Sequence, residues 1–441
     1  MTKSNLSFAP IAILIIITAI ALFYPNLPSA IVTEGIDTAD TAWVLVSAAL
    51  VLIMTPGLAY FYGGMVNAKN VISTMLQSFI AMGVISIVWV VVGFSIAFGD
   101  SVGGFFGDPT THLFLKGVTD GPAWGTIPFL LFAMFQLKFA VITPALITGS
   151  LAERINFKSY VVFIVLFSLL IYAPLAHMTW SSDGFLFKLG VLDFAGGTVV
   201  HMSAGWAALA GAIYLKRRKS HADKNFLPPA NVPYVLLGTG LLWFGWFGFN
   251  GGSALSASPL AVIAFATTNT AAAAAGLSWV FYDVVRGKKP SALGFCIGVV
   301  VGLVAITPAA GFVTVSHALV IGVVAGIISN IVAHLKTKTA LDDTLDVFPC
   351  HGVGGMVGLV LTGVFATSSV NAGVTEQGLF FGETSLFLKH LLALVVTSLF
   401  AFGGSFVLLK ITDLILPLRV SQEDEAVGLD ISQHDESLIE A

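Results

Sequence analysis

An all-α integral membrane protein is what this sequence of 441 residues predicts. Three observations carry the prediction. Hydrophobic residues make up 56% of the chain and charged residues only 10%, whereas soluble domains are about a quarter charged. Mean hydropathy is +0.93. Apolar runs of about 20 residues, long enough to cross a bilayer as helices, recur from residue 42 to residue 416 between short polar breaks. The runs are continuous rather than alternating at every second residue, which selects a helix bundle over an outer-membrane barrel.

Eleven spans follow, at 42–62, 71–98, 126–150, 160–177, 196–215, 233–252, 260–283, 292–312, 317–335, 347–366 and 386–416. The formal charge of -4 says little, because the distribution of charge carries the information. Basic residues cluster in alternate loops, most densely at Lys216, Arg217, Arg218, Lys219 and Lys224 and again at Arg286, Lys288 and Lys289. The positive-inside rule then puts the mature N-terminus outside and the C-terminus in the cytoplasm of a multi-pass protein of the cell inner (plasma) membrane. An odd number of spans suits that orientation. Residues 1–30 read as a signal peptide: Lys3, a short apolar run from Pro10 to Phe23, and small residues at Ser29 and Ala30. An uncleaved extra helix is the alternative. Residues 31–420 form the transmembrane domain and 421–441 a cytoplasmic tail. Cys296 and Cys350 both fall within spans, so a disulfide framework is not expected.

The chain also echoes itself. "PGLAYFYGG" closes span one and "FGWFGFNGG" closes span six, each an aromatic cluster before a glycine pair. Span five carries Asp193 ahead of His201, and span ten Asp346 ahead of His351. Five helices is an odd number, so the second copy starts from the opposite side of the membrane. That predicts two inverted five-helix repeats plus an eleventh helix, with the substrate path at their interface.

Titratable groups inside apolar spans are expensive unless they face protein or a pore. His201 and His351 are therefore the first candidates for chemistry. Packing histidines bonded to a neighbouring helix are the bland alternative. Two neutral imidazoles in contact can share one proton while their outer nitrogens face a small polar solute. Asp193 and Asp346 read as structural and electrostatic support, each a carboxylate at a helix start where backbone amides are free. Asp193 lies about 12 Å along the axis from His201, too far for contact. Aromatic and hydroxyl groups gather at the ends of spans three, four and six: Phe135, Phe139, Trp180, Phe249 and Ser253. An aromatic face attracts an ammonium-like cation by about 0.5 to 2 kcal/mol, and a hydroxyl accepts one of its protons. Singly, each also reads as an interfacial anchor or core filler.

"MTPGLAYFYGGMVNAKN", "FQLKFAVITPALITGSLAERINF", "DFAGGTVVHMSAGW", "LLWFGWFGFNGGSA" and "DVFPCHGVGGMVG" together resemble the ammonium transporter (Amt/Mep/Rh) family over nearly the whole chain after residue 30. The resemblance implies an eleven-helix homotrimer with a pore in each subunit. It assigns Trp180, Phe135 and Ser253 to ammonium recruitment, Phe139 and Phe249 to a stacked pair closing the pore, and His201 and His351 to the twin histidines. Asp193 is similar to the aspartate that supports recruitment. Trp180 and Ser253 favour the Amt/Mep branch over the Rhesus branch.

Physical chemistry gives the expected mechanism. An apolar bore disfavours a bare cation and lowers amine pKa values. Ammonium leaving the aromatic vestibule is pushed to release its proton; ammonia crosses along the imidazoles while the proton follows the histidine pair, so net charge moves. Methylammonium is a further candidate substrate. Lys138, beside Phe139, would repel the cation and is expected to point away from the path. The acidic tail reads by composition as disordered. Yet Gly428, Leu429, Asp430 and His434 resemble the family's cytoplasmic tail, which implies a PII-type regulatory protein as partner; Asp435 replaces the usual glycine. A sensor that binds ammonium with little flux is the alternative function. An enzyme is disfavoured because there is no HExxH motif, and no Gly-rich nucleotide loop couples the chain to ATP. No cofactor, metal or nucleic acid is implied.

Overall fold

The computed structural model describes residues 8–23, 32–224 and 227–438. Apart from one two-residue hairpin, Ser101–Val102 with Phe106–Gly107, its regular elements are helical. Helix α1 is Ala9–Phe23 and buries none of its residues. Residues 29 and 30, where the signal-peptide reading sets its cleavage, lie outside the described residues. The main helices follow as α2 (Thr38–Met65), α3 (Ala68–Phe98), α4 (Phe129–Leu151), α5 (157–180), α6 (Gly197–Leu215), α7 (Val232–Gly252), α8 (Pro259–Val285), α9 (Ala292–Ile306), α10 (Val315–Lys336), α11 (Phe348–Phe365) and α12 (Ser385–Ile415).

Among the described residues, ten helices are long and apolar enough to cross a membrane. The expected eighth span, 292–312, is shorter than the sequence suggested: α9 has 15 residues and stops at Ile306. Pro308 has no amide hydrogen to continue the ladder, and the chain runs on in turns through Phe312.

Small residues set which helices meet. In lipid there is little hydrophobic drive between helices, so close backbone approach has to supply the contact. Helices α2 and α7 lie against each other along much of their length. A Cβ on Gly238 of α7 would sit 2.4 Å from the Phe61 nitrogen of α2. Helices α8, α9 and α10 form a second packed group. The rods are not uniform α-helix. Each of α3, α5, α6 and α11 contains a π-helical turn, and those of α6 (Gly197–Met202) and α11 (Phe348–Val353) hold the two histidines.

The tail corrects an expectation. Instead of a disordered end, it folds into α13 (Gln422–Val427) and α14 (Leu429–His434) and packs on the start of α3. The reason lies in its partners rather than its composition. Asp430 accepts from the Ile72 and Ser73 amides at 3.1 and 2.7 Å, capping the rod. The Leu429 amide donates to Asn70 Oδ1, and Lys69 Nζ donates to the Glu425 carbonyl. Nearby, Arg218 joins Glu153 at 2.7 Å and Asp342 at 2.8 Å, tying three loops together. Burial pushes the Asp342 carboxyl up, but its hydrogen bonds to Arg218 and the charge of Arg154 outweigh that and lower it to about 2.

Candidate conduction path

The end of the bundle that carries Trp180 contains a cavity of about 150 Å³. Its wall is one face of α4: Phe132, Phe135, Gln136 and Phe139 recur at i, i+3, i+4 and i+7. Trp180, Phe194, Ser253, Leu255 and Trp124 complete it, and no charged side chain lines it. Trp124 and Gln136 were not singled out by the sequence. Trp124 sits in a loop with no periodicity to flag it, stacked on Phe132 at 4.3 Å between ring centroids.

Two hydrogen bonds fix how polar atoms are presented here. The Trp180 indole N–H donates to the Asp193 carbonyl at 3.0 Å, which orients the ring. The Ser253 hydroxyl donates to the Phe249 carbonyl at 2.8 Å, so its own hydrogen is committed and its lone pairs remain for a donor. The cavity thus presents aromatic faces and a neutral hydroxyl acceptor.

Below the cavity the rings continue. Phe135 meets Phe139 edge to face at 5.0 Å, Phe139 meets Trp180 at 6.1 Å, and Phe139 lies 4.2 Å from Phe249 between centroids. Phe139 and Phe249 are fully buried. Next comes His201, its ring 5.9 Å from Phe249 and stacked on Trp246 at 5.2 Å. His201 Nδ1 stands 3.3 Å from His351 Nδ1, with the rings within 22° of parallel. The His201 Nε2 atom is buried and has no hydrogen-bond partner among the described residues. The two sequence-distant histidines are thus brought together in one buried column with the aromatic residues.

Backbone geometry explains the meeting. A Cβ on Gly205 would lie 2.1 Å from the Gly352 nitrogen, so α6 and α11 touch main chain to main chain one turn after His201 and directly after His351. Each π-turn also has a carboxylate at its start. Asp193 accepts from the Gly196, Gly197 and Thr198 amides at 2.8, 2.7 and 2.7 Å, and from the Thr198 hydroxyl. In α11 the capping place assigned to Asp346 is taken by Asp343, which accepts from the Val347 and Phe348 amides at 3.1 and 2.8 Å. Asp346 instead has a left-handed backbone, φ 57°, and pairs with Lys336 at 2.6 Å. A signal for Asp343 was present: it precedes His351 by eight residues, the spacing of Asp193 and His201.

Lys138 is absent from the cavity lining and is partly buried, one turn beyond Met134 on α4.

Comparison with known proteins adds a family. Residues 42–438 match the model of the Ammonium Transporter Family. The chain is 47% identical over 400 residues to an ammonium transporter of Bacillus subtilis, covering 90% of this chain and 97% of that one. It is 44% identical over 405 residues to a putative ammonium transporter of Methanothermobacter thermautotrophicus, covering 91% and 98%. The crystal structure of Saccharomyces cerevisiae Mep2 superposes with a TM-score of 0.83 at 36% identity, over 88% of this chain and 89% of that one. A structure described as a sensor Amt protein superposes at 0.82 with 31% identity, over 90% and 98%.

Proposed function

This chain belongs to the Ammonium Transporter Family, and from that premise we propose that it recruits ammonium at the aromatic cavity, strips its proton there and conducts ammonia past the histidine pair with net movement of charge. Trp180, Phe135 and Ser253 hold the cation; Phe139 and Phe249 close the path and keep it dry. His201 and His351 offer nitrogen atoms to the neutral base and relay the proton. Asp193 supports the recruitment ring through its carbonyl and the histidine turn through its carboxylate. The observation that carries this reading is the uninterrupted order of groups: cation-attracting rings, a buried phenylalanine pair, then two imidazoles in contact. A charged solute finds no compensating charge along it, whereas a neutral base finds hydrogen-bonding atoms only after the rings.

The same reading has an outside N-terminus, eleven crossings with α9 as the short one, and a homotrimer in the plasma membrane. Residues 1–30 act as a signal peptide, and the docked tail offers a PII-type regulator its surface beside the cytoplasmic loops. Ammonium pulses applied to proteoliposomes test the function. Uptake with current supports it, and uptake without current removes the charge movement. The structural likeness to a sensor Amt protein gives the alternative a footing: ammonium binding with no uptake would make this chain a sensor.

A further inference from the structure

We infer that Gln136 is a further binding residue of the mouth cavity, its amide oxygen accepting one N–H of the recruited cation; this rests on the recruitment site proposed above. Gln136 shares the α4 face of Phe132, Phe135 and Phe139 and lines the cavity with them. It is the one polar side chain among the α4 residues that line the cavity. Its Oε1 atom is buried and has no hydrogen-bond partner among the described residues. A carbonyl removed from water with no donor opposite it destabilises the fold, and such groups are rare unless something outside the protein satisfies them.

An ammonium ion brings the missing donor. It has four N–H groups, and ring faces satisfy some of them without accepting in a fixed direction. Among the side chains lining the cavity, Ser253 supplies one directional acceptor, its own hydrogen being committed to Phe249. Gln136 supplies a second on the α4 wall. Being a neutral carbonyl it stabilises the cation without the full charge of a carboxylate, which leaves the proton free to depart at the next step.

That distinction gives a test that packing alone cannot mimic. Currents are recorded against ammonium concentration for wild type, Gln136→Met and Gln136→Glu in proteoliposomes. Gln136→Met, of similar length and without an acceptor, raises the half-saturating concentration about tenfold and leaves the maximal current near wild type. Gln136→Glu does the opposite: it lowers the half-saturating concentration and depresses the maximal current, because a carboxylate favours ammonium over ammonia. A Gln136→Met half-saturation equal to wild type, or the same direction of shift in both variants, overturns the assignment. Trp180→Leu in the same assay separates the two levels of the argument. If it raises half-saturation while the Gln136 variants do not, only the role of Gln136 fails. If it too leaves half-saturation unchanged, the recruitment site fails and Gln136 with it.

Discussion

The two histidine turns are built alike and wired differently. Both are π-helical, both carry an imidazole in the shared column, and in both an aspartate precedes the histidine by eight residues. Asp193 satisfies three backbone amides and a hydroxyl, and its own carbonyl holds the indole of Trp180. Asp343 satisfies two amides, and its carbonyl receives Lys336, which is also the partner of Asp346. Its sequence neighbour Asp342 belongs to the Arg218 cluster at the tail-bearing end. One turn is therefore mechanically tied to the aromatic mouth and the other to the ionic loops opposite. The difference teaches that a repeated device, a capped π-turn presenting a histidine, is tied to two different ends of the bundle by changing what its aspartate touches.

The comparison breaks most completely where the turns meet. Gly205→Ala places a carbon against the Gly352 backbone, from which main chain cannot retreat cheaply, and the histidines separate. Ammonium uptake by proteoliposomes falls below about 1% of wild type; retained uptake would show that the imidazoles need not touch.

Cutting one aspartate at a time sharpens the contrast. Asp193→Ala leaves three amides and the Thr198 hydroxyl without their acceptor and loosens the segment whose Asp193 carbonyl holds the Trp180 indole, and uptake drops about a hundredfold. Asp343→Ala leaves two amides and no mouth contact, and the loss is about tenfold. Equal losses would mean that the link from Asp193 to Trp180 has no consequence, and a larger loss for Asp343 would invert the account.

These aspartates also mark the limits of what the sequence disclosed. Helix spans, the histidines and the aromatic groups were legible because hydropathy and residue type report them directly. Asp343 was passed over for Asp346, since both lie near the start of span ten and only the spacing to His351 distinguishes them. The π-turns had no signature, because their geometry follows from tertiary contact rather than propensity. Trp124 reaches the cavity from a loop, and Gln136 stands out only by its unpartnered amide oxygen, which residue type does not report. The tail's order could not be read from composition because it depends on amides of α3, more than 350 positions away in sequence.

The smallest effect lies in that tail. His434 contacts Ser73 at 3.1 Å and packs edge to face on Phe157. Burial holds its imidazole below the ordinary value, with Asp430 and Glu436 opposing. A depressed value means that docking is fully supported above the free-imidazole pKa, about 6.5, and weakens as pH falls toward the docked value. Burial raises Asp430, whose shift acts in the opposite sense on the acid side and keeps the net change small. The protection factors of residues 422–434, that is, exchange corrected for its intrinsic pH dependence, fall about twofold between about pH 7.5 and about pH 5.5. Protection that rises on acidification would place the control in Asp430 instead.

Central to the proposed function is the idea that a dry aromatic column parts a small base from its proton. The most direct test applies ammonium and potassium pulses of equal concentration to the same supported proteoliposomes and compares the currents. Ammonium gives a transient and potassium gives none above protein-free liposomes if the column excludes intact cations. Potassium currents as large as those of ammonium would mean that whole ions pass, and the proposed separation of base from proton would be wrong.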